Sequence, residues 1–156
     1  MRRIIKMNLH FKISSPAFKD GELIPAKYTV DGENINPPLV IEEIPDGTKS
    51  MSLIVDDPDA PHGTFTHWLV KNIPPKTTNI LENSVPGIQI ANSWKNENWI
   101  GPSPPSGSHR YFFKLYALSV DKLEAKTLKD FYSQCDKYKI GMAHLTGRYT
   151  KQTAKN

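Results

Sequence analysis

Two stretches of the chain concentrate the residue types that handle protons and anions. VDDPDAPHGTFTHW, residues 55 to 68, packs three carboxylates and two histidines into fourteen positions, and WIGPSPPSGSHRY, residues 99 to 111, leads a Gly and Pro loop into His109, Arg110 and Tyr111. Carboxylates beside histidines suit three tasks: general acid–base work, metal ligation, or the fixing of an imidazole against a bound anion.

The catalytic forms can be written down from these residues. Ser103 or Ser106 with His109 would make a hydrolase, and Asp57 with His67 an acid–base site. GPSPP lacks the second glycine of a nucleophile elbow, however, and it runs into strand-like sequence, whereas an elbow opens a helix. Its prolines also remove amides that an oxyanion hole needs. The His62 to His67 spacing matches no familiar metal pattern, so neither metal nor cofactor is expected.

Whatever the chemistry, strands must position it. MSLIV (51–55), FTHWLVKNI (65–73) and RYFFKLYALSV (110–120) are rich in β-branched and aromatic residues and are bounded by Pro and Gly turn signals. Alternation puts Met51, Leu53, Val55 and Asp57 on one face, with Asp57 at its rim and Asp56 turned away. The same rule groups His67 with Phe65 and Leu69, and His109 with Tyr111, Phe113 and Leu115. Proline after Asp57 and after Ala60 stops the strand, which sets Asp57 and Asp59 on a stiff turn, while His62 belongs to a solvated one. Prolines 102, 104 and 105 reduce the entropy lost when the second loop orders. The pattern is mainly β, of the sandwich kind, and only the C-terminal third, LEAKTLKDFYSQCDKYKIGMAHLTGRY, reads as one or two short helices. Thr127 and Asp130 stand there as a capping box.

At 156 residues the chain suits one domain, with a core over about 15–150 and basic tails at 1–12 and 151–156. The net charge of +4 comes from its ends: ten acids and two lysines lie between Asp20 and His62, whereas eight bases and three acids follow from Lys122. No basic stripe with interleaved aromatics accompanies this, so nucleic acid is not an expected partner. The opening MRRIIKMNLHF has no secretory or membrane-length apolar run, and Cys135 is the lone cysteine, expected as a buried small residue. A cytoplasmic location is the matching expectation.

The order DG-N-PP-L, SLIVDDPDAP, HW-LV-N-IP, GP-PP-G-HRYFF-LYAL and AHLTGRY, from about Phe18 to Tyr149, resembles the phosphatidylethanolamine-binding protein family, also called Raf kinase inhibitor-like proteins. The likeness is greatest to its short bacterial and archaeal branch. The resemblance implies an antiparallel β-sandwich of Greek-key type with a few short, mostly C-terminal helices. It also implies a small surface pocket for phosphate-like or carboxylate anions, including phospholipid headgroups. Carried over by motif, the ligand-binding positions are Asp57, Asp59, Pro61, His67, Gly101, Pro102, His109 and Tyr111, with Trp99 as a rim and Arg110 as structural. Ser103 stands where relatives often carry cysteine, and Thr66 where they carry an aromatic or a second histidine.

The resulting expectation is a non-catalytic binding or regulatory protein that takes phosphate, phosphoethanolamine or a similar anion. A kinase or protease partner and a homodimer are further implications of the resemblance. An aspartate, Asp57 or Asp59, is expected to accept from a histidine ring and raise its pKa, so that affinity falls as pH rises from about 5.5 to 8.

Overall fold

A computed structural model describes residues 10–152. The basic stretches 1–12 and 151–156 therefore lie mostly outside the described residues, although Lys12 already opens the first strand, opposite Glu42.

Strands β1 (Lys12–Ser14), β2 (Leu39–Glu42) and β5 (Asn79–Ile80) form one sheet in the order β1-β2-β5. A larger sheet has the order β6-β4-β3-β7-β8, from β3 (Ser50–Asp57), β4 (Phe65–Ile73), β6 (Ile88–Ile90), β7 (Ser108–Leu118) and β8 (Lys139–Thr150). All these strand pairs are antiparallel. Ile13, Leu39, Ile41 and Ile80 of the small sheet pack on Met51, Leu53, Val55, Trp68, Phe113 and Leu145 of the large one, which gives the sandwich its main core.

The outer face of the large sheet is also covered. Helix α1 (Leu128–Tyr138) lays Phe131 and Cys135 against Ile54, Leu69, Tyr116 and Leu118. Strand β3 is consequently buried on both faces along all eight residues, which is why MSLIV is apolar but for Ser52. Thr127 caps α1 by accepting from the Asp130 amide, as the capping box predicts. Burial pushes the Cys135 thiol up to about 12, so it stays a protonated packing group.

Of the one or two short helices expected in the C-terminal third, one forms among the described residues, α1, and it ends at Tyr138. From Lys139 the chain becomes β8, at twelve residues the longest strand, paired with β7 from Leu118 back to Ser108. Its inward residues Ala143, Leu145 and Tyr149 alternate with exposed Met142, His144 and Arg148, a period-2 pattern that decides the matter over helix propensity. The other helical element among the described residues is a single 3-10 turn, Ala26–Tyr28.

Strand β4 departs from simple alternation. Val55 pairs with Trp68 but Asp56 pairs with Thr66, so His67 is an extra residue, a β-bulge. The bulge shifts the faces: Leu69 packs under α1, Thr66 faces the same side, and His67 turns to the opposite side with Phe65. Contrary to the alternation expected from sequence, His67 and Leu69 do not share a face.

Candidate functional site

At the end of the large sheet where β3, β4 and β7 meet, a cavity of about 120 Å³ opens to the surface. Its lining comes from the β3 exit (Asp57, Ala60, Pro61), the start of β4 (Phe65, His67), two loops (Trp94, Ile100, Gly101, Ser103, Pro105) and the start of β7 (His109, Tyr111).

Asp57 sits at the rim of the β3 core face and is almost wholly buried. Both of its oxygens are committed: Oδ1 accepts from the Asp59 amide at 2.8 Å, closing the proline-stiffened turn, and Oδ2 accepts from His109 Nδ1 at 2.6 Å. This is the aspartate–histidine pair that the sequence predicts. The carboxylate fixes the ring so that Nε2 is the nitrogen without a protein partner among the described residues.

His67 is held differently. Its Nδ1–H donates to the Ile100 carbonyl at 2.7 Å, and its ring packs edge-on against Phe65 and Tyr111, at centroid distances of 4.8 and 5.3 Å. Burial lowers its pKa, outweighing the opposing pull of the Ile100 carbonyl and the Asp57 charge. The rise in pKa expected of a histidine held by an aspartate does not apply to this ring, which no carboxylate touches and which burial dominates. Tyr111 is buried, and its hydroxyl lacks a hydrogen-bond partner of standard geometry, although the Ser103 backbone approaches it. Burial, reinforced by the Asp57 charge, pushes its pKa up, so the phenol stays a neutral donor.

The bulge that aims His67 is pinned from the helix side. Asp56 is fully buried there, and its Oδ2 accepts from Lys114 Nζ at 2.9 Å and from the Tyr132 hydroxyl at 2.7 Å. Since Tyr132 donates to Asp56, the 2.9 Å contact between Tyr132 and Thr66 must run from the Thr66 hydroxyl to the phenol oxygen. Tyr132 of α1 thus holds Thr66 away from the cavity, and Phe65 supplies the aromatic wall instead.

The loops are built from their own polar groups. Buried Asn92 accepts from the Trp94 and Asn96 amides and donates to the Asn98 and His67 carbonyls, which holds Trp94 at the cavity mouth, 58% exposed and edge-on to Phe65. The second loop is anchored where the Gly101 amide donates to Asn34 Oδ1 at 2.8 Å. A Cβ at Gly101 would lie 2.3 Å from the Tyr28 carbonyl oxygen, so only glycine permits this approach.

Of the nine positions singled out in the sequence, Asp57, Pro61, His67, Gly101, His109 and Tyr111 line the cavity, and Asp59, Trp99 and Pro102 do not. Asp59 takes three hydrogen bonds from Arg110, from its backbone amide, Nε and one terminal nitrogen, and these hold its carboxyl down at about 2. Trp99 is a core residue: it stacks on Phe113, stands edge-on to Trp68 and donates Nε1–H to the Tyr28 carbonyl. Buried Pro102 accepts from the Val30 amide. Trp94, Phe65 and Ile100 were not singled out; the Asn92 turn and the His67 bulge place them, and neither has a sequence motif.

Comparison with known proteins agrees with this arrangement. The profile of the family described as phosphatidylethanolamine-binding protein matches residues 14–150. A UPF0098 protein of Aquifex aeolicus is 44% identical over 151 residues, covering 90% of this chain and 88% of the relative, and one of Methanothermobacter thermautotrophicus is 42% identical, covering 89% and 98%. Two crystal structures superimpose closely. A phosphatidylethanolamine-binding protein homolog from Chlamydia trachomatis has a TM-score of 0.86 at 35% identity, covering 91% of this chain and 98% of that one. Escherichia coli YbcL, described as a member of the mammalian family, has a TM-score of 0.85 at 28% identity, covering 91% and 99%. With relatives in both bacteria and archaea, the chain belongs to the phosphatidylethanolamine-binding protein family.

Proposed function

We propose that the cavity between Asp57, His67, His109 and Tyr111 holds a small phosphate-like or carboxylate oxyanion without transforming it, and that the protein acts as a binding or regulatory module. One observation carries the reading: two buried imidazoles line one small cavity, each commits Nδ1 to the protein, and neither Nε2 has a protein partner among the described residues. Asp57 orients His109 and does not face the ligand with a free oxygen, which removes the objection that a carboxylate would repel an anion. The Tyr111 hydroxyl is a further donor, and Phe65, Trp94 and Pro105 give the apolar walls usual for small-ligand sites. The family's description, which names a phospholipid, supports phosphate chemistry at the site without distinguishing monoester from diester.

Calorimetric titration with inorganic phosphate tests this. Binding to the native protein is expected to be lost in His109→Ala and weakened about fivefold or more in Tyr111→Phe, the cost of one hydrogen bond to a charged group. Unchanged affinity in both variants would place the anion elsewhere.

The Asp57–His109 pair favours a second reading, since it is the base half of a hydrolase with Ser103 on the same cavity wall. Turnover of aryl esters that disappears in both Ser103→Ala and His109→Ala would establish it. Regulation of a kinase or protease is the wider form of the first reading. Capture of such a partner that survives Asp57→Ala and His109→Ala would move recognition away from the cavity.

A further inference from the structure

We infer that the cavity selects oxyanions that carry a hydrogen of their own, phosphomonoester monoanions above all, over phosphodiesters and sulfate esters of the same charge. The inference rests on the anion-site reading and sharpens it.

The Ile100 carbonyl can only accept, so the 2.7 Å contact requires the hydrogen on His67 Nδ1. In the neutral ring Nε2 is then a bare lone pair, and among the described residues nothing in the protein donates to it. His67 as a whole is 5% exposed. Its surroundings are Phe65 on its own strand, Asp57 on β3, Tyr111 and His109 on β7, and Ile100 and Trp94 on the loops. Burial holds the ring toward the neutral form, which preserves that lone pair.

A fully ionised oxygen placed against this nitrogen would set lone pair against lone pair in a site of low dielectric. A ligand O–H answers it. Tyr111 imposes the opposite demand, because its neutral phenol supplies a hydrogen and needs an acceptor. A ligand that satisfies both must accept at one oxygen and donate from another. A phosphomonoester monoanion, P–O⁻ with P–OH, does so; the bridging phosphate of an intact phospholipid does not.

Three small anions separate these cases: methyl phosphate, methyl sulfate and dimethyl phosphate, titrated at about pH 6, where roughly half of a phosphomonoester keeps its second proton. Methyl sulfate matches the monoanion in charge and shape but lacks the hydrogen, and dimethyl phosphate stands for the lipid diester. Read from the His67 and His109 side-chain nitrogen resonances, methyl phosphate is expected to bind about tenfold or more tightly than either competitor. His67→Gln narrows that gap, because a carboxamide can turn its N–H to the ligand. Methyl sulfate binding within twofold of methyl phosphate at these resonances overturns the inference and leaves the anion site standing. Failure of all three to move the resonances overturns both. Tight dimethyl phosphate with weak methyl phosphate points to the lipid diester and also overturns it.

Discussion

His109 donates from Nδ1 to Asp57 Oδ2 at 2.6 Å, across a gap of 52 residues in sequence, with both side chains almost wholly buried. The same aspartate closes its own turn through the Asp59 amide. Asp57→Ala removes both contacts and is expected to cost about 1–3 kcal/mol of stability by urea denaturation, the penalty of an unmet buried donor. Asp57→Asn keeps one oxygen, enough for the Asp59 amide, and meets His109 with an N–H that the ring can accept at Nδ1 by changing tautomer, so it should cost less. Equal losses in the two variants would mean that the charge, and not the hydrogen bonds, holds this corner.

Two tryptophans five residues apart should behave in opposite ways. Trp99→Ala opens the main core beside Phe113 and Trp68 and is expected to cost about 3–5 kcal/mol. Trp94→Ala touches only the exposed mouth, so stability should change by less than about 1 kcal/mol while anion affinity falls. Thermal melts paired with phosphate titration separate the two roles.

Asp59 and Arg110 form a surface pair whose pH dependence has a definite sign. The native carboxyl is held at about 2, below the value of about 3.9 in an unfolded chain, so its contribution is present above pH 4 and fades as pH falls through 2. Arg110→Ala should therefore destabilise slightly at neutral pH, as exposed pairs do, and by clearly less near pH 2, where the carboxyl is half protonated. Denaturation curves at the two pH values check this.

His67 acts in a different window. An unfolded histidine takes a proton near pH 6.5, whereas burial lowers the native value. As pH falls below about 6.5 the unfolded chain gains protons first, so stability declines until the native ring titrates and then levels off. Native protein should lose stability between pH 7.5 and 5, and His67→Gln should lose less over the same interval.

The layers of this fold were legible because burial writes directly into composition: MSLIV, with both faces covered, is apolar but for Ser52, and β7 sorts His109, Tyr111, Phe113 and Leu115 onto one face. Asp56 turning away followed from the same alternation, and His62 lying exposed from the prolines that end the strand. Three features were not legible. The bulge at His67 arises from mismatched pairing between strands and leaves no mark in either strand alone. Strand β8 alternates correctly, but it follows directly on a helix, with no breaker at Tyr138 to mark the change. Trp94 owes its place to the buried Asn92, whose amide organises a turn that composition shows only as a polar stretch.

The central claim is that one cavity, framed by the Asp57–His109 pair and His67, receives an oxyanion. It is tested most directly by titrating inorganic phosphate into the protein labelled with nitrogen-15 while following backbone and histidine ring resonances. The account predicts saturable shifts confined to Asp57, His67, Ser103, His109, Tyr111 and their neighbours, abolished by His109→Ala. Shifts spread over the basic residues beyond Lys122, unsaturated and indifferent to His109→Ala, would contradict it.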